Sequence, residues 1–175
     1  MSNEKSLKQL KDEIKGCNEC RNNRGAWFFP DRHGVSGFNG DDKIFFVGER
    51  PSTGEWDKAN ELFYKLLKEY NFENAHLTDV IKCRKEVGEE VTREEIGNCV
   101  EHFRKELEVV NPKTIVSLGD KVHSILKVLL PVLGEQNILL LKIWHYTYPQ
   151  RFGKQDDYKK QWKQTFHKVN EKKTH

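Results

Sequence analysis

Four short strand-like segments, at 43–48, 76–81, 114–118 and 137–143, alternate along this chain with stretches of helical periodicity. A run such as KIFFVG at 43–48 has no polar face to turn toward water, so it reads as a strand covered on both sides. Between the runs, residues 57–70 place Leu62, Phe63, Leu66 and Leu67 on one side of a helix. Thr92 with Glu95 forms a capping box that opens a helix to Val110, striped by Ile96, Cys99, Phe103, Leu107 and Val110. Gly119 ends the third run, and a helix follows through Leu130. Helices are also predicted at 5–15, carrying Leu7, Leu10 and Ile14, and at 156–170, whereas 16–42 is rich in Gly, Asn, Asp and Arg and reads as loop. Strands alternating with helices specify an α/β fold, a three-layer αβα arrangement around a central, mainly parallel four-stranded sheet.

At 175 residues the chain is most economically one domain spanning 1–175, with a basic C-terminal helix at 154–172 included. Hydrophobic residues at 36% suffice for a single core, and ten Phe, four Trp and five Tyr argue against disorder. No apolar run approaches the ~20 residues of a membrane span, and the first residues lack the apolar stretch of a signal peptide, so a cytoplasmic protein is expected. The net charge of +3 is unevenly spread. From Arg151 onward eight Lys or Arg face three acids, a balance suited to a phosphate backbone and equally to a solvated helix face.

Ligands of parallel sheets bind beyond the carboxyl ends of the strands. Those ends carry Gly48-Glu49-Arg50-Pro51, Thr78-Asp79, Gly119-Asp120 and Trp144-His145. The four cysteines are the other chemical signal. Cys17 and Cys20 form a C-x-x-C pair, Cys83 lies far off, and Cys99 follows sixteen residues later. In a cytosolic chain a set of four favours metal ligation over disulfides. Structural zinc usually takes two short-spaced pairs, while an iron–sulfur cluster tolerates one such pair plus distant thiolates. Cys99 also fits a small buried hydrophobe on its helix's stripe, whereas Cys17, Cys20 and Cys83 fall in polar segments.

These residues together resemble the family 4 uracil-DNA glycosylases, the iron–sulfur branch of the uracil-DNA glycosylase superfamily. The likeness runs from Cys17 to Arg151. The family's T-N-V-V-K-C-R strand exit appears as Thr78-Asp79-Val80-Ile81-Lys82-Cys83-Arg84, and its G-E-A-P-G motif as Gly48-Glu49-Arg50-Pro51-Ser52. Ile115–Gly119 matches its third strand, and His145 with Arg151 its second active-site motif. The resemblance implies a [4Fe-4S] cluster on Cys17, Cys20, Cys83 and Cys99 that organises DNA-facing loops. It also implies a monofunctional glycosylase for a deaminated or damaged base in DNA. A monomer in the cytoplasm, associated with the nucleoid, is expected.

Cleaving an N-glycosidic bond creates an oxocarbenium-like sugar and a departing base anion, so the site needs a donor at the base and a placed water beneath the sugar. His145 is expected to supply the donor and Glu49 to place the water. The extruded base is read on its Watson–Crick edge. Asp79 stands where the family carries Asn; an ionised carboxylate only accepts, which repels a uracil carbonyl and suits an exocyclic amino group. Arg50 replaces a small residue beside Gly48. The segment after Pro51 is shorter than in the family, leaving Trp56 as the expected stacking partner of the base. Tyr146 and Tyr148 are candidate wedges into the base stack, and Arg84 and Arg151 candidate phosphate contacts. The alternatives are a catalytically weak or inactive lesion-binding protein on the same fold, and a zinc-stabilised nucleic-acid protein.

Overall fold

The computed structural model describes residues 3–20, 25–38, 43–51, 55–84 and 88–173. Ser52 of the first motif and parts of the 16–42 segment lie outside them. In chain order the elements are α1 (Asn3–Lys15), α2 (Phe29–Arg32), β1 (Ile44–Gly48), α3 (Lys58–Glu69), β2 (His76–Asp79), α4 (Arg93–Val110), β3 (Thr114–Leu118), α5 (Asp120–Val132), β4 (Leu139–Ile143), α6 (Thr147–Phe152) and α7 (Gln155–Lys173).

All pairings in the sheet are parallel, in the order β2-β1-β3-β4. Successive residues of β1 point to opposite faces and meet different helices. Ile44 and Phe46 join Phe63, Leu66 and Leu67 of α3 and Tyr158 and Trp162 of α7. Phe45 and Val47 join Phe103 and Leu107 of α4 and Leu126 of α5. Both faces are therefore dry, which is why the run could dispense with polar alternation. Each fully buried Leu, Val or Phe there contributes roughly 1.5–3 kcal/mol. Leu10 and Ile14 of α1 form a smaller cluster with Phe28.

The capping box predicted for α4 is present. Glu95 N–H donates to Thr92 Oγ1 at 3.2 Å, and Thr92 N–H donates to Glu95 Oε2 at 2.8 Å. Asp57 caps α3 through one oxygen, accepting from the N–H groups of Ala59 and Asn60 at 2.9 and 2.8 Å. Two short helices depart from the sequence reading. α2 lies inside the expected 16–42 loop, started by a proline in its first turn, and α6 precedes the final helix, with Pro149 inside it. A single turn carries too few apolar positions to register as periodicity. β2 and β4 are also shorter than their apolar runs, because the chain turns away from the sheet after Asp79 and before Leu139.

Candidate active site

The chain leaves β1 for β2 on one side and β3 on the other, so the sheet switches direction beside the carboxyl ends of β1 and β3. A switch of this kind opens a crevice at those ends. Gly48 ends β1 opposite Asp79 of β2. A Cβ at position 48 would collide with Oδ1 of Asp79, so only glycine lets that carboxylate lie across the strand end. Gly119, at φ +106°, turns β3 into α5, and a Cβ there would lie 3.5 Å from the His145 Cβ. The positive φ calls for glycine, while the contact with His145 would be an ordinary van der Waals one.

Asp79 is 5% exposed. Burial pushes its carboxyl up to about 7; Lys82 opposes the rise, and the charges of Glu106 and Glu49 add to it. Glu49 itself is half-buried. Behind Asp79 lies a closed ionic chain. Lys82 Nζ donates to the Asp79 carbonyl at 2.5 Å and to Thr78 Oγ1 at 2.8 Å, and pairs with Glu106 Oε1 at 2.5 Å. The other Glu106 oxygen accepts from His76 Nε2 at 3.0 Å. Burial raises the proton affinity of Glu106, but Lys82 and His76 outweigh it and hold the carboxylate ionised.

His145 retains some accessible surface, yet its ring lies deep enough among protein atoms that burial drives it down to about 4, against an upward pull from Asp57. The ring is thus neutral near pH 7. The Thr147 N–H donates to Nδ1 at 3.4 Å, and Thr147 Oγ1 lies 2.9 Å from the same nitrogen. An Nδ1 that accepts leaves the proton on Nε2, which makes that edge the donor.

Trp56 is 53% exposed and stacks on Tyr64, with centroids 5.5 Å apart and planes 6° apart. His33 meets the same pair, its Nδ1 2.7 Å from Tyr64 Oη and its ring edge-on to Trp56. Asp57 acts electrostatically on both His33 and His145. Of these neighbours only Asp57 had a sequence signal, as a helix-capping residue. Glu106 had one that was overlooked, since it falls on the apolar stripe of α4.

Arg50 donates to the Glu89 carbonyl, so its guanidinium is tied to the loop before α4. Arg151 is exposed on α6 and Arg84 is half-buried. Tyr148 is 40% exposed and packs between Trp144 and Phe152. Tyr146 corrects the sequence reading. It is 6% exposed, lying against Phe63 and the His145 ring, and a side chain enclosed in that way has no free face to wedge into DNA.

The four cysteines come from three segments and lie within electrostatic reach of one another. Asn98 Nδ2 donates to the Glu19 carbonyl at 3.3 Å and to Cys20 Sγ at 3.5 Å, holding the C-x-x-C turn against α4 next to Cys99. Burial pushes the Cys83 thiol up to about 12, with further rises from Cys99, Cys20 and Cys17. Cys83 is 4% exposed, which corrects the expectation that it sits in a polar loop: an antiparallel bridge to Ala26 covers it. A cavity of about 450 Å³ borders Cys17, Asn98 and His102. Among the described residues, no three His, Cys, Asp or Glu side chains are close enough together to hold a metal ion.

The profile of the Uracil DNA glycosylase superfamily matches residues 36–168, from the end of the first loop to the last helix. This chain belongs to the uracil-DNA glycosylase superfamily. Over 162 residues it is 26% identical to the Type-4 uracil-DNA glycosylase of Sulfurisphaera tokodaii, covering 86% of this chain and 70% of that protein. The Type-4 uracil-DNA glycosylase of Archaeoglobus fulgidus is 32% identical over 124 residues, 65% of this chain and 60% of its own length. That of Thermotoga maritima is 35% identical over 91 residues, 46% and 47% respectively. The crystal structure of wild-type SMUG2 from Pedobacter heparinus superposes with a TM-score of 0.55, covering 75% of this chain and 76% of that one at 10% identity. The fold is therefore shared well beyond the reach of sequence similarity. For this superfamily member, the strand-end crevice with Glu49, Asp79 and His145 is the candidate active site. No described helix is long and apolar enough to cross a membrane.

Proposed function

We propose that this protein is a monofunctional DNA glycosylase that hydrolyses the N-glycosidic bond of a flipped-out deaminated or damaged base. The observation that carries this reading is the pairing of Asp79 with Gly48 and of His145 with Gly119 at the sheet's switch point. A neutral His145 offers its Nε2–H to the base oxygen on which negative charge grows, and a preorganised donor of this kind acts more strongly in the transition state than in the ground state. Glu49, whose carboxylate charge reaches Asp79, holds the water under the sugar and stabilises its developing positive charge. Asp79 reads the base. With a carboxyl near 7, it accepts from an exocyclic amino group when ionised and donates to a carbonyl when protonated, so base preference shifts away from plain uracil. Trp56 stacks on the extruded base, and Gly48 and Arg50 border its entry. Arg84, Arg151 and Tyr148 contact the DNA. The protein works as a monomer on the DNA of the cytoplasmic nucleoid.

Cys17, Cys20, Cys83 and Cys99 would hold a [4Fe-4S] cluster. The donor chemistry suits it: the cysteines come from α4, the Cys83 exit and the N-terminal turn, and burial, with smaller additions from neighbouring cysteines, raises the Cys83 and Cys99 thiols, which metal binding would deprotonate. When bound, the cluster supplies structure, fixing the loops that face DNA.

The test is a base-release screen of the purified protein on oligonucleotides carrying uracil, hypoxanthine, xanthine, ethenocytosine or mismatches, in single and double strands. An abasic product from one of them, lost in His145→Ala, is expected. No product from any of them overturns the reading; tight DNA binding without base release, unaltered by His145→Ala, identifies a lesion-binding protein instead.

A further inference from the structure

Trp27 stands apart from the strand-end crevice, on the segment that pairs with the chain around Cys83. Its N–H donates to the Lys82 carbonyl at 2.9 Å, and the Arg84 N–H donates to the Gly25 carbonyl at 3.3 Å. The bridge between Ala26 and Cys83 lies between these two bonds. Phe28 and Phe29, 5% and 4% exposed, anchor the next two residues in the core. The half-buried indole is therefore held in a fixed place.

Two guanidinium groups share that ring. Arg32, at the end of α2, has its Cζ 3.6 Å from the ring centroid, and Arg84 has its Cζ 4.7 Å away. Attraction to the indole holds each cation in position, but two like charges gathered at one ring repel each other. An acid between them would neutralise the repulsion. Asp31, the nearest acid in sequence to Arg32, is instead paired with Lys11 at 2.6 Å. Among the described residues neither arginine is ion-paired. Preorganised, unneutralised guanidinium groups match phosphate, which their planar fork of donors binds in bidentate fashion. A DNA strand presents one such charge about every 3.4 Å along its axis, so two arginines at one ring can reach neighbouring phosphates.

Resting on the glycosylase reading above, we propose that Trp27, Arg32 and Arg84 form a phosphate clamp that grips the DNA backbone beside the thiol cluster. Arg32 and Trp27 act with Arg84 as a unit, the indole fixing the spacing of the two cations.

The test measures binding of an undamaged duplex by fluorescence anisotropy between about 50 and 200 mM salt, where each phosphate contact contributes about 0.9 to the slope of log K against log salt. Arg32→Gln and Arg84→Gln are each expected to lower the slope by about 0.9, and the double variant by about twice that. Arg32→Lys with Arg84→Lys is expected to keep the wild-type slope, because the charges remain. Gln variants with an unaltered slope overturn the clamp. A lowered melting temperature with an unaltered slope also overturns it, assigning the arginines to bracing the fold. Base release is read on the same samples. A slope change in a protein that releases no base keeps the clamp and removes the glycosylase reading; base release with an unaltered slope does the reverse.

Discussion

The ammonium of Lys82 lies 2.5 Å from a carboxylate oxygen of Glu106, and water reaches almost none of either side chain. The same ammonium bonds the backbone carbonyl of Asp79, so a buried ion pair between the exit of β2 and α4 holds the residue proposed to read the base. Removing one partner of such a pair strands the other charge. Lys82→Met is expected to destabilise the fold by about 3–5 kcal/mol, measured by urea unfolding. Lys82→Met combined with Glu106→Leu should recover much of that loss, since two apolar groups leave no orphaned charge. A single variant as stable as wild type contradicts the arrangement.

Asp79 makes stability depend on pH. Its folded pKa, about 7, lies above the ordinary 3.8, so between those values the folded state holds a proton that the unfolded state has lost. Stability from this residue is thus greatest below about 4, falls as pH rises through the window, and levels off above 7. Asp79→Asn removes the dependence. Its stability advantage over wild type should grow from pH 4 to pH 7, with a ceiling of about 4 kcal/mol at 1.36 kcal/mol per unit. Urea unfolding at pH 4, 5.5 and 8 measures it, and a gap independent of pH refutes the assignment. The same substitution restores an amide donor toward a uracil carbonyl and should increase uracil release about tenfold or more.

His145 is depressed to about 4 by burial, so it is already neutral across the working range. The pH profile of kcat/KM should show no histidine limb near 6.5, whereas a limb near 7 belongs to Asp79 and vanishes in Asp79→Asn. His145→Ala is expected to lower the rate of base release about 10²–10³-fold, as removal of one transition-state donor does. A histidine limb near 6.5 that disappears in His145→Ala would show instead that the imidazole works in its charged form.

Anaerobically purified protein should be brown, absorb near 400 nm and carry about four iron atoms per chain. Cys83→Ser, which removes the buried thiol at the bridge to Ala26, should lose colour and iron and melt at lower temperature. Colourless protein with one zinc per chain would assign the thiols to a different metal.

The apolar runs and the capping box were legible because each reports a local requirement. A strand covered on both faces must be apolar throughout, as Ile44–Val47 is, and Thr92 and Glu95 satisfy backbone groups three residues apart. Glu49, Asp79 and His145 were singled out by position, as chemistry-bearing residues at the carboxyl ends of strands, and the structure has them there. The burial of Tyr146 was not, because nothing in the sequence around it indicates that Phe63, some eighty residues earlier, closes over its ring. Nor was the placement of Trp27, whose two cations come from α2 and from the exit of β2.

The sequence by itself determined the strand–helix alternation, the superfamily motifs and the residues able to do chemistry, since each is written in neighbouring side chains and their spacing. Only the tertiary structure decided that Asp79 lies across Gly48, that Lys82 is sealed against Glu106 and that four cysteines from three segments come within electrostatic reach of one another. Those relations depend on burial and on charges brought together from distant parts of the chain, and the energy of a charge is set by what surrounds it in space.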